Sequence, residues 1–411
     1  MRNAIRSLLV TGMMFSGQSL FADYVAVDLG TLDGGTYSAP AAINNAGQVT
    51  GFSDTFGNSV RHAFLYSNGT MTDLGTLGGY ESTATAINAS GQITGFSGTA
   101  GNARIDAFIY SNGTMTDLGG FGGTSQGNSI NNAGQVTGTA GTAGDATSQA
   151  FLYSGGTLTG LGTLGGTNSV ASSINNAGQV LGNSLTTGNA ANLPFLYSNG
   201  TMTNIGTLGG SFSAATGLND SGQVTGWAYT SGDSVYHAFL YQNGSMSDLG
   251  TLGGSTSQGY AINNSGEVTG VSDTTGNAAS HAFLYSGGTM TDLGTLGGDV
   301  SIGQFINSSG QVLGFSYTAG DASYDAFLYS NGTMIDLTSI LLAQGWSQLT
   351  NVTGMNDAGQ IIGYGVDNGE THAFLLNPTA TPEPASFLLL LIGGGLLSVA
   401  ARPRAGRHKA D

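Results

Sequence analysis

The sequence contains no cysteine and very little charge. Asp, Glu, Lys and Arg together make up 8% of the 411 residues, against about a quarter in an average globular domain. The absence of cysteine excludes disulfide bonds, thiol nucleophiles and thiolate metal sites. Hydrophobic residues nevertheless make up 39% of the chain, which has 18 Phe and 16 Tyr. Disordered chains are poor in aromatic residues, so the composition predicts a folded protein.

Positive charge is almost absent from the body of the chain. Between Asp23 and Thr381 the basic residues are Arg61 and Arg104, against 22 acidic residues. Recognition of phosphate needs clustered Lys and Arg, so nucleic acid and anionic membrane are excluded as partners of this region. Solubility is the simplest role of such an acidic surface, and attraction of divalent cations is the alternative.

The first 22 residues have the order of a secretory signal peptide. Arg2 and Arg6 supply a positive start, and a short apolar stretch runs from Leu8 to Phe15. Ala22 is a small residue at the expected cleavage position, although Leu20 departs from the usual small residue two positions earlier. The sequence therefore predicts an exported protein.

The C-terminus has three segments in a fixed order. We expect a linker at 378–385, a short transmembrane segment at 386–401 and a basic cytoplasmic tail at 402–411. The linker contains Pro-Glu-Pro, and the apolar segment is short against the roughly 20 residues that span a bilayer. Basic residues behind it keep the tail in the cytoplasm. The residues that make up this pattern are Pro382, Glu383, Pro384, Arg402, Arg404 and Arg407.

This order resembles the PEP-CTERM sorting signal of Gram-negative bacteria. The resemblance implies cleavage by an exosortase, transient anchoring in the inner membrane, and delivery to the cell surface or the extracellular space. It also implies an association with exopolysaccharide and biofilm. A plain C-terminal membrane anchor is the alternative.

Between the two ends, one unit occurs eight times. A Gly-Gln-Val-Thr-Gly motif begins at Gly47 and recurs in related forms, with spacings of 44, 43, 44, 44, 44, 44 and 49 residues. The composition, dominated by Gly and β-branched residues, excludes helical repeats. Each unit contains four strand-like runs, A to D, and an Asn-Gly pair such as Asn68-Gly69 marks a tight hairpin between C and D.

Two positions are the same in all eight units. A Phe in strand C reads as core, and an Asn after strand A reads as a turn former whose side chain bonds nearby backbone. The Phe residues are Phe64, Phe108, Phe151, Phe195, Phe239, Phe283, Phe327 and Phe374. The Asn residues are Asn44, Asn88, Asn131, Asn175, Asn219, Asn263, Asn307 and Asn356.

The phase of the repeat predicts a closed ring. The segment Tyr24 to Gly30 is a lone strand D, and the last unit has strands A, B and C but no D. A complete eighth unit forms if the two ends pair, which also removes exposed sheet edges. We therefore predict an all-β domain at 23–377, an eight-bladed β-propeller of four-stranded antiparallel blades closed by the N-terminal strand. An open β-solenoid is the alternative.

The repeated segments His-Ala-Phe-Leu-Tyr, Asp-Leu-Gly-Thr-Leu-Gly-Gly and Ile-Asn-x-x-Gly-Gln-Val resemble the HAF family of extracellular repeats. The likeness covers roughly Asp28 to Leu376. Only four units keep the His, at His62, His237, His281 and His372. The resemblance implies surface location and repetition, and no known chemistry.

No catalytic or metal site is predicted. Symmetric blades would hold the four His far apart, whereas a metal needs two or three converging ligands. An Asp repeated in strand D reads as a turn residue. It occurs at Asp28, Asp73, Asp117, Asp248, Asp292 and Asp336. No cofactor is expected, although the oxygen-rich B–C loops that start at Asp54 and Asp273 leave calcium open.

The sequence thus favours an exported surface or extracellular-matrix protein with a structural or binding role. The variable B–C loops and the tyrosines are the expected binding surface, because aromatic rings suit sugar stacking. The alternative is a carbohydrate-active propeller enzyme, either a glycosidase or a lyase. Such an enzyme needs acids unique to one unit, and the least regular unit, the last, offers Asp357, Asp367, Glu370 and His372.

Overall fold

The computed structural model describes residues 24–58 and 60–379. The predicted signal peptide and the predicted sorting signal, with Pro382, Glu383, Pro384, Arg402, Arg404 and Arg407, lie outside these residues. Within these residues, Val25–Asn377 form one compact unit. No helix within the described ranges is long and apolar enough to cross a membrane.

Thirty-two strands of the described residues form eight four-stranded antiparallel blades, and one parallel bridge between Ser280 and Val300 joins blades 6 and 7. Blade 1 contains β2 (Ser38–Ile43), β3 (Val49–Asp54), β4 (Arg61–Ser67) and β5 (Thr70–Asp73), and blade 2 contains β6 (Gly78–Ile87), β7 (Ile93–Thr99), β8 (Ile105–Ser111) and β9 (Thr114–Gly119). Blade 3 contains β10 (Gly122–Ile130), β11 (Val136–Thr142), β12 (Ser148–Ser154) and β13 (Thr157–Gly160). Blade 4 contains β14 (Gly165–Ile174), β15 (Val180–Thr186), β16 (Asn192–Ser198) and β17 (Thr201–Asn204). Blade 5 contains β18 (Gly209–Leu218), β19 (Val224–Thr230), β20 (Tyr236–Gln242) and β21 (Ser245–Asp248). Blade 6 contains β22 (Gly253–Ile262), β23 (Val268–Thr274), β24 (Ser280–Ser286) and β25 (Thr289–Asp292). Blade 7 contains β26 (Gly297–Ile306), β27 (Val312–Thr318), β28 (Tyr324–Ser330) and β29 (Thr333–Asp336).

Blade 8 is built from both ends of the domain. Its strands are β30 (Gln348–Met355), β31 (Ile361–Asp367), β32 (Glu370–Pro378) and the N-terminal β1 (Tyr24–Gly30), which pairs with β32. The predicted eight-bladed propeller closed by its N-terminal strand is therefore confirmed, and the β-solenoid alternative is wrong. Closure leaves no open end in the ring, which is how propellers avoid large exposed sheet edges.

Strand A is the longest strand and strand D the shortest in most blades. The Gly-Gly pair that follows strand D belongs to the next strand A, so β6 starts at Gly78 and is ten residues long. Strand D is correspondingly short in most blades, as in Thr70–Asp73. Gly78 has a φ of 97°, a conformation open to Gly at little cost, so the chain turns from one blade into the next without breaking the pattern.

One α-helix, α1 (Leu337–Ala343), interrupts the all-β pattern between blades 7 and 8. It lies in the longest repeat, whose spacing is 49 residues against 44 in most others, and it contains Leu337, Ile340, Leu341 and Leu342. Asp336 caps it, because Ser339 N donates to Asp336 Oδ1 at 3.0 Å. Single 3₁₀ turns lie in six B–C loops: Phe56–Asn58, Ala100–Asn102, Ala143–Asp145, Thr187–Asn189, Thr275–Asn277 and Ala319–Asp321.

The hydrophobic core lies between neighbouring blades. All eight strand-C Phe side chains have 0% of their surface exposed. One such layer joins Leu181 of blade 4 to Val224 and Phe239 of blade 5. Burying a Phe of this kind stabilises the fold by about 1.5–3 kcal/mol. Because every blade contributes the same ring, each interface repeats the same packing.

Hydrogen bonds from a buried Ser also link the blades. Ala63 N in blade 1 donates to Ser82 Oγ in blade 2 at 2.9 Å, and Ser82 Oγ donates to Gly75 O at 2.6 Å. The insert supplies the same contact at the junction of blades 7 and 8, where Ala326 N donates to Thr338 Oγ1 at 3.0 Å. The helix therefore replaces the usual connection between strands D and A, and the Ala326 N–H keeps a hydrogen-bond acceptor.

Candidate functional site

Each invariant Asn shapes the turn between strands A and B. The Asn44 Oδ1 accepts hydrogen bonds from Ala46 N at 3.1 Å and Gln48 N at 3.0 Å. The Asn44 Nδ2 donates to Gln48 Oε1 at 2.8 Å. The Asn side chain is therefore the local turn former that its spacing predicts.

The same side chains also join all eight blades in a closed ring. In each blade the Asn Nδ2 donates to the backbone carbonyl of the Asn in the next blade. The donor–acceptor pairs are Asn44–Asn88, Asn88–Asn131, Asn131–Asn175, Asn175–Asn219, Asn219–Asn263, Asn263–Asn307, Asn307–Asn356 and Asn356–Asn44, at 2.9–3.3 Å. This inter-blade role was missed by the sequence analysis, because a turn-forming Asn is explained without it.

A polar cavity of about 420 Å³ lies at this ring, with Asp220 and Asp357 on its rim. Burial raises the pKa of Asp220, but hydrogen bonds from Asn176 and Asn264 outweigh burial and hold it below its usual value. The pKa of Asp357 is lowered in the same way by Ser308 and Asn45. These carboxylates are bonded to neighbouring blades, so the cavity reads as part of the scaffold.

Each of the four strand-C His residues pairs with an Asp of its own blade. Each imidazole Nδ1 lies 2.8–2.9 Å from the strand-D Asp of its own blade. The pairs are His62–Asp73, His237–Asp248, His281–Asp292 and His372–Asp28. The same Asp also accepts from a Gly backbone N–H, as Asp73 does from Gly75 at 2.7 Å. The signal was present in the sequence, because every unit with the His keeps the Asp.

Two of the remaining blades carry an Asp in place of the His. Asp106 is fully buried and forms two hydrogen bonds with Arg104, at 2.7 and 2.5 Å. Asp325 lies in blade 7 beside Asp336. Burial and the neighbouring Asp336 charge raise the pKa of Asp325.

An aromatic cluster breaks the symmetry at blade 5. The Trp227 ring lies 5.3 Å from Phe212, 6.1 Å from Tyr229 and 5.2 Å from Tyr236, measured between ring centroids. Tyr229 and Tyr236 are cross-strand partners whose rings meet edge to face at 5.7 Å. All four side chains are half-buried, so each keeps part of its ring available to a ligand.

Blade 7 repeats this pattern at the equivalent positions. Tyr317 and Tyr324 are cross-strand partners with ring centroids 4.8 Å apart. Phe315 stacks on Tyr324 at 5.4 Å. The Tyr324 side chain is 43% exposed, which makes it the most accessible ring of this group.

Blade 6, between them, carries polar groups at those positions. Asp273 and Ser280 are its cross-strand pair, and a pocket of about 140 Å³ lies between them and Tyr236 of blade 5. Asp273 accepts hydrogen bonds from Thr256 at 2.6 Å and Ser280 at 2.8 Å. Gln258 also lines the pocket and accepts a hydrogen bond from Tyr260.

Electrostatic effects link the tyrosines of the three blades. The pKa of Tyr260 is raised by burial and by the nearby Tyr236. The pKa of Tyr324 is raised by burial, by Tyr317 and by Tyr260. We call the surface formed by Trp227, Tyr229, Tyr236, Tyr260, Tyr317 and Tyr324 the tyrosine arc.

Blade 3 has a related pocket without these rings. It measures about 150 Å³ and is lined by Gln126, Thr139, Gly141 and Ser148, among other polar or small residues. In strand position, Gln126 corresponds to Gln258 and Ser148 to Ser280. Blade 3 therefore has the same polar pocket without the neighbouring tyrosines, and it provides a control within the same chain for the effect of the aromatic rings.

The B–C loops place their acidic residues against protein partners. Asp54 lies 3.3 Å from Arg61, and Asp273 bonds Thr256 and Ser280. In the loop of blade 6, Asn277 Oδ1 accepts from Ser255 N at 2.8 Å. Calcium binding by these loops stays a prediction.

These features define the chain as a β-propeller repeat protein. No protein-family model matches the sequence, and no curated protein matches it. Among solved structures, it is similar to Porphyromonas gingivalis dipeptidyl peptidase 4, with 9% identity, a TM-score of 0.49, and coverage of 80% of this chain and 57% of that chain.

Two further structures share parts of the chain path. A putative TolB from Agrobacterium tumefaciens has 15% identity, a TM-score of 0.33, and coverage of 57% of this chain and 87% of that chain. Trypanosoma rangeli sialidase has 9% identity, a TM-score of 0.31, and coverage of 92% of this chain and 62% of that chain. The chain thus spans less than two thirds of the peptidase and of the sialidase, and nothing about its activity follows from these similarities.

Proposed function

We propose that this is an exported cell-surface or extracellular-matrix protein that binds polysaccharide on the tyrosine arc without catalysing its cleavage. The observation that carries the proposal is the break in symmetry. Blades 5 and 7 present paired tyrosines at positions where blade 3 has small or polar residues. A purely structural ring gives no reason for paired tyrosines on blades 5 and 7 that flank a polar pocket in blade 6.

The chemistry of the arc suits sugars. Aromatic faces stack on the apolar faces of pyranose rings, and a few placed polar groups fix orientation. Asp273, Gln258 and Ser280 supply such groups between the two Tyr pairs. Because the body carries 22 acidic and two basic residues, repulsion disfavours anionic chains. The ligand class that fits is an uncharged polysaccharide.

Export and sorting belong to the same proposal. The predicted signal peptide and the resemblance to HAF repeats support a location outside the cytoplasm. The Pro-Glu-Pro segment, the short apolar stretch and the basic tail support cleavage by an exosortase-type enzyme after transient anchoring. The intact mass of the mature protein tests this step. Retention of residues through Asp411 would leave a plain membrane anchor.

Retention on glycans tests the binding claim. The purified protein is run through gels containing uncharged or anionic polysaccharides, with and without Ca²⁺. We expect retardation by an uncharged glycan and its loss in Gln258→Ala. Gln126→Ala, the equivalent change in blade 3, is the control and should bind like the parent protein. Equal loss in both variants, or no retardation by any uncharged glycan, would refute the proposal.

Glycoside hydrolysis is the second candidate, and one observation favours it. Burial and the Asp336 charge raise the pKa of Asp325, and a carboxyl group with a raised pKa is what the general acid of glycoside cleavage requires. Asp336 already accepts hydrogen bonds from the backbone and side chain of Ser339, which argues for a structural role. Release of reducing ends by the parent protein but not by Asp325→Asn would establish the enzyme.

A further inference from the structure

The pocket between blades 5 and 6 contains a carboxylate whose hydrogen-bond partners are uncharged. Asp273 is half-buried, and its two oxygens accept hydrogen bonds from the hydroxyl groups of Thr256 and Ser280 at 2.6 and 2.8 Å. The two Arg residues of the repeat region, Arg61 and Arg104, belong to blades 1 and 2. A carboxylate has about four acceptor positions, so Asp273 keeps the capacity to bind a cationic donor.

Blade 1 has a cation of its own at the equivalent position. Asp54 and Arg61 occupy the strand positions that Asp273 and Ser280 occupy in blade 6. The Arg61 Nε lies 3.3 Å from Asp54 Oδ1, and its guanidinium carbon lies 4.4 Å from the centre of the Phe52 ring. A carboxylate and an aromatic ring together stabilise a positive charge. Blade 6 replaces this Arg by the short, uncharged Ser280, and a pocket of about 140 Å³ lies there instead.

An aromatic ring also lines the blade 6 pocket, but it comes from the preceding blade. Tyr236 of blade 5 is half-buried and is one of the lining residues. The pocket of blade 3 lacks both groups at these positions, because Gly141 stands where blade 6 has Asp273 and Ile105 stands where blade 5 has Tyr236. A carboxylate beside an aromatic ring is the combination that binds an ammonium group.

The charge and the size of the site favour the same kind of ligand. The repeat region has 22 acidic residues against two basic ones, so its field attracts cationic ligands and repels anionic ones. Pockets that enclose a whole small molecule measure about 300–1,000 Å³, whereas this pocket holds about 140 Å³. It therefore suits one substituent of a larger ligand, and an ammonium group brings three donors to the acceptors around Asp273.

We infer that the otherwise uncharged polysaccharide bound by the tyrosine arc carries sugar residues with a free amino group. The pocket lined by Asp273 and Tyr236 binds the ammonium group of one such residue, and the other rings of the arc stack on its uncharged neighbours. This inference rests on the proposed function, because the arc supplies the reason for a sugar ligand. It adds the class of sugar, an amino sugar that is not acetylated.

Two matched oligosaccharides test the inference by isothermal titration calorimetry. One is a β-1,4-linked glucosamine hexamer, and the other is its fully N-acetylated form. The titrations are made at about pH 6, below the usual pKa of an amino group, in about 0.15 M salt, which screens distant charges. We expect the glucosamine hexamer to bind about ten- to a hundredfold more tightly, as a charge-assisted hydrogen bond provides. In Asp273→Asn this ratio of affinities should fall to about one.

Asp145→Asn is the matched control for net charge. Asp145 lines the pocket of blade 3, and it ends the 3₁₀ turn of its B–C loop where blade 6 has Asn277. This variant loses the same unit of charge and should keep the preference of the parent protein. Ser280→Arg recreates the pair that Asp54 and Arg61 form in blade 1, so the internal cation should remove the preference.

The outcomes separate this inference from the proposed function. Equal affinity of the parent protein for the two hexamers, no binding of the glucosamine hexamer, or a preference that survives in Asp273→Asn would each overturn the inference. Equal loss of the preference in Asp145→Asn would also overturn it, because general attraction to an acidic protein would then explain the binding. In all these cases, retardation by an uncharged glycan would leave the tyrosine arc in place as a sugar-binding surface.

Discussion

The side-chain amide of Asn356 donates a hydrogen bond to the backbone carbonyl of Asn44, 312 residues earlier, at 3.0 Å. Seven other Asn residues make the same contact with the following blade. The last contact closes the series into a ring. The invariant Asn is thus both a turn former within a blade and a fastener between blades.

Replacing one Asn separates these two roles. Asn219→Asp keeps the oxygen that accepts from Ser221 N and Gln223 N, but it loses the Nδ2 donor to Asn263 O and Gln223 Oε1. The side chain is 3% exposed, so an oxygen facing two acceptors there should lower the free energy of unfolding by about 2–4 kcal/mol. Urea denaturation measures it. A loss under about 0.5 kcal/mol would show that only the turn matters.

The packing between blades predicts a contrast between neighbours in strand C. Phe239 is fully buried, so Phe239→Ala should cost about 3–5 kcal/mol. His237→Ala removes a half-exposed pair with Asp248 and should cost about 1 kcal/mol or less. Thermal and urea melts of both variants check this. Equal losses would contradict the assignment of inner and outer positions.

The buried carboxylate of blade 2 depends on one partner. Asp106 is 0% exposed and its ion-pair partner is Arg104. Arg104→Ala should therefore cost about 3–5 kcal/mol, because it leaves an uncompensated buried charge. The double variant Arg104→Ala, Asp106→Ala should recover much of this loss. If the double variant is no more stable than the single one, the cost does not come from the unpaired charge.

Acid stability should depend on the rim of the axial cavity. Hydrogen bonds hold the pKa of Asp220 and of Asp357 below the usual value in the folded protein. Their contribution to stability is thus complete above the usual Asp pKa, near 3.9, and is lost as the pH falls through the lower folded value. Asp220→Asn should lower stability at neutral pH and flatten its acid dependence. If the stability of Asp220→Asn is lower by the same amount at every pH, the acid dependence does not come from the Asp220 carboxyl group.

Much of the fold was predictable because repetition averages out local ambiguity. The eight Phe, the Asn-Gly hairpins and the lone strand before Thr31 sufficed for the closed propeller. The helix Leu337–Ala343 was not predicted, because the composition of the whole chain excluded helices and concealed one Leu-rich insert. The limits of strand A were also missed, since Gly78 reads as a turn and not as a strand start.

The candidate sites were harder to predict because they depend on contacts between blades. Tyrosines were expected to bind sugars, but the sequence did not show that Tyr236 and Tyr324 stand on either side of Asp273. The partner of His372 is Asp28, in a strand from the opposite end of the chain, so neighbouring sequence does not reveal this pair. Repetition predicts the contacts that all blades share, but it does not predict the blades that depart from the shared sequence or the blade where the chain ends meet.

Tryptophan fluorescence tests the central claim most directly, because the chain has two Trp residues and only Trp227 lies in the tyrosine arc. Trp346 is 6% exposed and packs on Phe374, so Trp346→Phe leaves Trp227 as the single reporter. Titration of this variant with the uncharged polysaccharide that retards the protein should give a saturable change in emission. Adding Tyr236→Ala should abolish that change. Binding with unaltered Trp227 emission, or emission changes that persist in Tyr236→Ala, would place the glycan elsewhere and contradict the account.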